Sequence, residues 1–258
     1  MTAFLLASLY APMASWGDIT VGERRTSWDR PSRSAILGLV AAALGIERED
    51  QDRHDALDHG YGVAVRVDAP GRVMVDYHTA QTISQTEIKR AQPRTRRDII
   101  RHGERHHKLE TILSWREAQV DAAYTLALWA RDGARWPLEA LAEALRAPVF
   151  TLYAGRKAHP LVWPLLPEVA EAETLADALQ LRPLLGCKVV ARWLRMKRRL
   201  PRAAASVSCD FESAFPHGLD GPRLEIRRDA APQRTRWQFA ERRVLTGRMP
   251  EPVQEALA

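Results

Sequence analysis

The sequence predicts an α+β protein: a sheet with helices on it, an arginine-rich insertion between strands, and a smaller β-rich part toward the C-terminus. Three observations carry that reading. Short apolar or alternating runs, bounded by Gly and Pro, have the length and period of strands. Two segments that start at a proline have the apolar spacing of helices. With 258 residues, the chain can bury one large core, or one core and a small appendage.

Phe4 to Tyr10 (FLLASLY) is a continuous apolar run ended by Ala11-Pro12, as expected of a buried strand. A polar loop from Ser15 to Arg30 follows, carrying Trp16, Arg24, Arg25 and Trp28. Pro31 to Gly45 predicts a helix, started by Pro31 or Ser32 and stopped by Gly45. Its apolar stripe is Ile36, Leu37, Val40, Ala41 and Leu44. Ser34, Gly38, Ala41 and Gly45 make a small-residue face suited to lying close on a sheet. Tyr61 to Val67 and Arg72 to Tyr77 alternate on either side of Asp68-Ala69-Pro70-Gly71, which predicts a hairpin. Val120 to Trp129 supplies another strand, Pro137 to Arg146 an amphipathic helix, and Pro148 to Tyr153 one more short strand.

Strand, helix, strand, strand, insertion, strand and helix is an order that a ferredoxin-like or RNA-recognition-motif-like sheet accommodates. The division expected is a ferredoxin-like domain over residues 1–182, interrupted at about 82–110, and a small β-rich region over 183–258. Within the latter, Lys188 to Arg195, Ala204 to Cys209 and Arg223 to Arg228 read as short strands.

Net charge is modest: 38 Lys and Arg stand against 32 Asp and Glu, giving +6. Its distribution says more. Ile83 to Glu110 holds Lys89, Arg90, Arg94, Arg96, Arg97, Arg101, Arg105 and Lys108, against Glu87, Asp98, Glu104 and Glu110. The stretch has almost no apolar periodicity. A long basic insertion between strands suits a polyphosphate backbone, although such a run also serves as a solvated loop or an arm that touches protein. Ala191 to Arg202 adds six cations and no acid. Neither cluster has the broad apolar face of a membrane-surface helix.

Other function classes fall away. The sequence contains no GxSxG elbow, no GxxxxGK[ST] phosphate loop and no GxGxxG opening a helix. His102, His106 and His107 lack acidic or Cys partners at metal-ligand spacing, so no metal or cofactor is expected. Cys187 and Cys209 are far apart and fit small core hydrophobes in a reducing, cytoplasmic setting. No Lys or Arg precedes Arg24, so the apolar start lacks the positive region of a signal peptide. No apolar run reaches membrane-spanning length.

The candidate binding residues each have two readings. Ser32, Arg33 and Ser34 sit at a helix start, which favours an anion but is equally explained by capping. Trp16 and Trp28 can stack on a splayed base or lie buried. Gly155-Arg156-Lys157 lets a nucleic-acid backbone approach closely, or is an ordinary basic turn.

Several segments together resemble a known family. APMASWGD near residue 15, Pro31-Ser32-Arg33-Ser34 opening a helix that ends AAALGI, DYHTAQ at Asp76 to Gln81, LSWREAQVDAAYTLALW at Leu113 to Trp129 and LYAGRKAHPL at Leu152 to Leu161 are similar to the CasD family. That family is a subunit of the CRISPR Cascade surveillance complex of subtype I-E. The resemblance spans about residues 1–180. It implies a ferredoxin-like domain with a thumb, here roughly Thr82 to Glu110, and a short C-terminal β region. It also implies an RNA-binding subunit, without catalysis or cofactor, that holds the 5′ handle of the guide RNA at one end of the complex. Implied partners are guide RNA, the repeated backbone subunit, the large subunit and, through the complex, target DNA; no membrane is involved. The handle surface maps to Arg24 to Ser34, including Arg25, and to Gly155, Arg156 and Lys157. Trp16, Arg116 and the insertion's Arg94, Arg97, Arg101, Arg105, His106, His107 and Lys108 complete the candidate RNA-binding set. A related branch cuts repeat RNA with Tyr, Lys and His and no metal. His106, His107 and Lys108 can be cast in those roles as the alternative, although no Tyr lies in the Pro31 to Gly45 helix.

Overall fold

The computed structural model describes residues 1–17, 20, 22–182, 206–212, 215–233 and 238–250. The chain opens with β1 (Thr2–Tyr10), whose side chains are buried on both faces. Leu5, Ala7 and Leu9 point into one apolar cluster, and Phe4 and Leu6 into another. Burial on two sides explains an unbroken apolar run where a half-exposed strand would alternate. Four two-residue strands follow: β2 (Met13–Ala14), β3 (Trp16–Gly17), β4 (Arg24–Arg25) and β5 (Ser27–Trp28). Helix α1 (Arg33–Ala43) starts and stops where the sequence places it. The Ser32 side chain accepts from the Ala35 N–H, and Gly45 takes a φ of +67° just beyond the end.

Helix α2 (Gln51–Gly60) escapes the sequence reading, because of its residues only His54, Leu57 and Gly60 are buried and no apolar stripe shows. Strand β6 (Tyr61–Ala69) is buried along its whole length, whereas β7 (Arg72–Thr82) is largely exposed. The expected hairpin between them does not form. β6 pairs with a strand on each side, β9 (Ala123–Ala130) and β11 (Ser206–Asp210), so neither of its edges is free for β7. At the turn, Gly71 has φ +69°, and a side chain there would press on the Val120 carbonyl. β7 instead pairs over its full length with β8 (Glu110–Val120), a polar strand that the sequence does not announce. The expected Val120 to Trp129 strand falls on β9 from Ala123 onward, while Val120 closes β8, the two being separated at Asp121, which has φ +59°.

The β7–β8 ribbon is an arm carrying the basic insertion, and the insertion is helical. Helix α3 (Gln85–Ala91) is capped by Ser84, and α4 (Arg96–His106) by a reciprocal Thr95–Asp98 box. Gln92 and His107 end the helices in the left-handed conformation. Apolar support is slight: Ile83 is buried, and Gly103 lies against Leu109 and Ile83.

Helix α5 (Leu138–Arg146) begins after Pro137 as expected. Pro148 to Tyr153 is not a strand. The N–H groups of Val149 and Phe150 bond to the carbonyls of Ala43 and Ala42 at the end of α1, and only Tyr153 bridges, to Pro160. Then come β10 (Glu168–Ala172), α6 (Leu175–Leu181), β11, β12 (Asp220–Gln233) and β13 (Gln238–Arg248). Among the described residues the main sheet has seven strands in the order β10-β1-β9-β6-β11-β13-β12, all neighbours antiparallel. The C-terminal strands thus extend the sheet started by β1. The expected Ala204 to Cys209 and Arg223 to Arg228 strands fall on β11 and β12. The expected Lys188 to Arg195 strand, the Ala191 to Arg202 cluster and Cys187 lie outside the described residues.

Helices α1 and α5 cover one face of the sheet, and α6 the other. On the α6 side, Trp129 stacks on Phe215 at 4.2 Å, and a side chain at Gly62 would overlap the Trp129 ring. Each fully buried Leu of these layers contributes about 1.5–3 kcal/mol.

Candidate nucleic-acid interface

The predicted cations divide into three groups with different surroundings. The first is at the root of the arm. Strand β4 pairs in parallel with β8, setting Arg25 beside Arg116, and β7 sets Asp76 on the other side of Arg116. Arg156 comes to the same place from the 155–159 turn. Burial and the nearby Arg116 and Arg25 guanidiniums hold the Arg156 pKa below its usual value, with Asp76 opposing. None of Arg25, Arg116 and Arg156 makes a salt bridge among the described residues. Like charges gathered without carboxylates bonded to them repel one another and are offset by a bound anion. Arg24 and Lys157 flank the group and are exposed.

The turn that delivers Arg156 is fixed by the body. Gly155 has φ +82°, and a side chain there would overlap the Ser15 carbonyl. The Ser15 N–H donates to Ala154 at 3.1 Å. The close approach made at Gly155 is to the chain's own backbone.

The second group rides on the arm. Arg94, Arg97, Arg101, Arg105, His106 and His107 are exposed there. Lys108 is partly engaged, its Nζ lying 2.6 Å from Glu87, whose other oxygen meets His102 at 3.1 Å. Those two contacts hold the Glu87 carboxyl down at about 2. The His106 ring lies 4.5 Å from that of His102. Glu110 lies six positions before Arg116, roughly 20 Å of strand, so the two groups form no single pocket.

The third group is structural, and it contains two corrections. Arg33 is 5 % exposed. Its guanidinium is 2.7 Å from Asp210 and donates to the carbonyls of Tyr61 and Asp58. Asp210 also receives Arg242 at 2.7 Å and Arg131 at 3.0 Å. The start of α1 is likewise occupied from within: the Arg33 N–H donates to the Asp229 carboxylate at 3.1 Å, and the Ser32 hydroxyl caps Ala35. Capping is thus the outcome for Ser32, and no anion is needed there. Ser32 and Ser34 line a cleft of about 1070 Å³ with Gly38, Tyr153, Gly155 and Arg228, so that part of the small-residue face borders open space. Trp16 is 1 % exposed, donates to the Tyr124 hydroxyl at 3.1 Å and cannot stack on a base. Trp28 is 38 % exposed, under Arg227 at 4.8 Å.

Sequence reasoning missed Asp210, Asp229, Arg131 and Arg242, which share no motif. It also passed over Tyr77 and Trp115, which meet on the ribbon with ring centres 5.3 Å apart. Cys209 is buried and its thiol is pushed up to about 12, in keeping with a core residue. Among the described residues no His, Cys, Asp and Glu cluster is arranged to hold a metal, and no helix is long and apolar enough to cross a membrane.

The fold as a whole is similar to that of solved CRISPR-associated proteins. A chain described as "CRISPR RNA-guided surveillance complex" superposes with TM-score 0.62 and 26 % identity, over 95 % of this chain and 90 % of that one. Another, described as "Crystal structure of Cas protein", gives TM-score 0.59 and 26 % identity, over 96 % and 95 % of the two chains. The model of the family "CRISPR-associated protein (Cas_Cas5)" matches residues 4–245, and the chain belongs to that family. Within it, the chain is 35 % identical over 187 residues to "CRISPR system Cascade subunit CasD" of Escherichia coli (strain K12), covering 69 % of this chain and 76 % of the relative.

Proposed function

We propose that this chain is a non-catalytic RNA-binding subunit of a Cascade surveillance complex, acting in the cytoplasm, where it holds the 5′ handle of the guide RNA and caps one end of the assembly. Its partners are the guide RNA, the repeated backbone subunit and the large subunit, and it meets target DNA only through the complex. The observation that carries the reading is the gathering of Arg25, Arg116 and Arg156 at the root of the arm, without salt bridges among the described residues. Such a group matches a phosphodiester backbone, and the arm cations extend it. With the intervening short strands, α2 and the arm set aside, the chain order β1, α1, β6, β9, α5, β10 and the sheet order β10-β1-β9-β6 support a ferredoxin-like reading of the body. The engagement of Lys108 by Glu87, and the lack of a Tyr in α1, favour binding over cleavage.

The test is purification of the chain with its partners, followed by analysis of co-purifying RNA. Arg25→Ala, Arg116→Ala and Arg156→Ala combined should release that RNA at lower salt than the parent. Retention at the same salt overturns the assignment of these positions. Specific cutting of repeat RNA by the isolated chain in EDTA, lost in His106→Ala, would overturn the non-catalytic reading.

A further inference from the structure

The two faces of the ribbon differ in chemistry. On one face stand Arg25, Arg116 and Asp76, in register across β4, β8 and β7. One residue back along β4 and β8, the pairing sets Arg24, Trp115 and Tyr77 side by side on the other face, since paired residues in adjacent strands point the same way. The Trp115 and Tyr77 rings are tilted by 48° at 5.3 Å. Tyr77 is 54 % exposed, and Val75, two residues along the same face, is 55 % exposed. Arg24 is exposed and makes no salt bridge among the described residues.

A cross-strand aromatic pair can simply stiffen a ribbon. That role does not require more than half of a tyrosine to face solvent, nor an unpaired guanidinium at the end of the row. A half-buried indole, an exposed phenol ring and an exposed cation in line are what an unpaired nucleotide needs: π faces for bases and a charge for the phosphate between them. Another protein chain would cover the aromatic pair equally well. The charge around it favours RNA, because the arm carries eight cations against four acids over Ile83 to Glu110 and the opposite face of the ribbon holds Arg25 and Arg116, with Arg156 near them on the 155–159 turn.

We propose that Tyr77 and Trp115 form a stacking platform for unpaired bases of single-stranded RNA, with Arg24 on the adjoining phosphate. The inference rests on the RNA-binding reading above and assigns aromatic stacking contacts to bases beside the phosphate contacts of the cation group. Stacking is sequence-tolerant, so the platform sets where a base sits and leaves its identity open.

The experiment uses the full chain and a short single-stranded RNA carrying 2-aminopurine, whose fluorescence is quenched by stacking. The parent should quench it, and Tyr77→Ala and Trp115→Ala should each abolish the quench and weaken binding roughly fivefold to a hundredfold. Tyr77→Phe and Trp115→Phe keep a ring and should retain the quench, which separates stacking from ribbon stability. Full quench and unchanged affinity in both alanine variants, while Arg25→Ala, Arg116→Ala and Arg156→Ala combined loses binding, overturn the platform and leave the RNA-binding reading standing. No salt-dependent binding by the parent overturns both. Loss of co-purifying protein subunits from the alanine variants, with RNA affinity unchanged, assigns the row to a protein partner and also overturns the proposal.

Discussion

Two clusters of three arginines stand out among the described residues, and their surroundings are opposite. Arg33, Arg131 and Arg242 converge on Asp210 in the interior, where each guanidinium lies within 3.0 Å of its carboxylate. Arg25, Arg116 and Arg156 converge at the root of the arm, where Asp76 opposes them without a salt bridge among the described residues. The first cluster ties the start of α1 to β11 and β13. The second has no carboxylate bonded to it among the described residues. An arginine's neighbours, more than its number or its place in a basic run, decide whether it holds the fold together or meets a ligand.

The largest effect expected is from the interior cluster. Asp210→Ala leaves three guanidiniums without their common carboxylate and should cost about 3–5 kcal/mol, read from chemical denaturation. A loss no greater than that of an exposed substitution would erase the contrast between the clusters. Next is Gly155→Ala, which puts a side chain at φ +82° and against the Ser15 carbonyl. It should cost about 1–3 kcal/mol and displace Arg156, so thermal stability and RNA affinity should fall together.

The arm tip is an intermediate case, an ion cluster at the surface. Glu87 is held at about 2, against an ordinary 4.5, by Lys108 and His102. A depressed folded value means that this contribution is present above about pH 4.5 and lost as pH falls through about 2. NMR titration should follow the Glu87 carboxyl to that low midpoint, and Lys108→Ala should move it up. A midpoint near 4.5 in the parent would remove the ion cluster from the account of the arm. The smallest effect on stability belongs to Arg25→Ala, Arg116→Ala and Arg156→Ala combined, within about 0.5 kcal/mol of the parent. The same variant should flatten the salt dependence of single-strand RNA binding by about 0.7 per lost phosphate contact. An unchanged slope would show that the open cluster faces no RNA.

Much of the body was legible because its causes are local. A strand buried on both faces must be apolar throughout, as Phe4 to Tyr10 is. A helix that starts at Ser32 and ends before Gly45 carries both marks in its own residues. The arm helices were legible in principle, through Ser84-x-x-Glu87 and Thr95-x-x-Asp98, but the density of charge hid them. The hairpin expected at Asp68 to Gly71 failed for a different reason. Strand pairing depends on which edges are free, and β6 had both taken, one by a strand from beyond residue 205.

The family, the main strands and helices, the start and stop of α1 and the placing of an arginine-rich segment between strands can all be read along the chain, because each is written in neighbouring residues. Which cations have a carboxylate bonded to them came from the folded structure alone. Arg33 meets its carboxylate 177 positions away, while Arg25, Arg116 and Arg156 meet one another. The separation follows from electrostatics: a charge that leaves water needs a partner within a few ångströms, and the chain brings that partner from a distance no local pattern records.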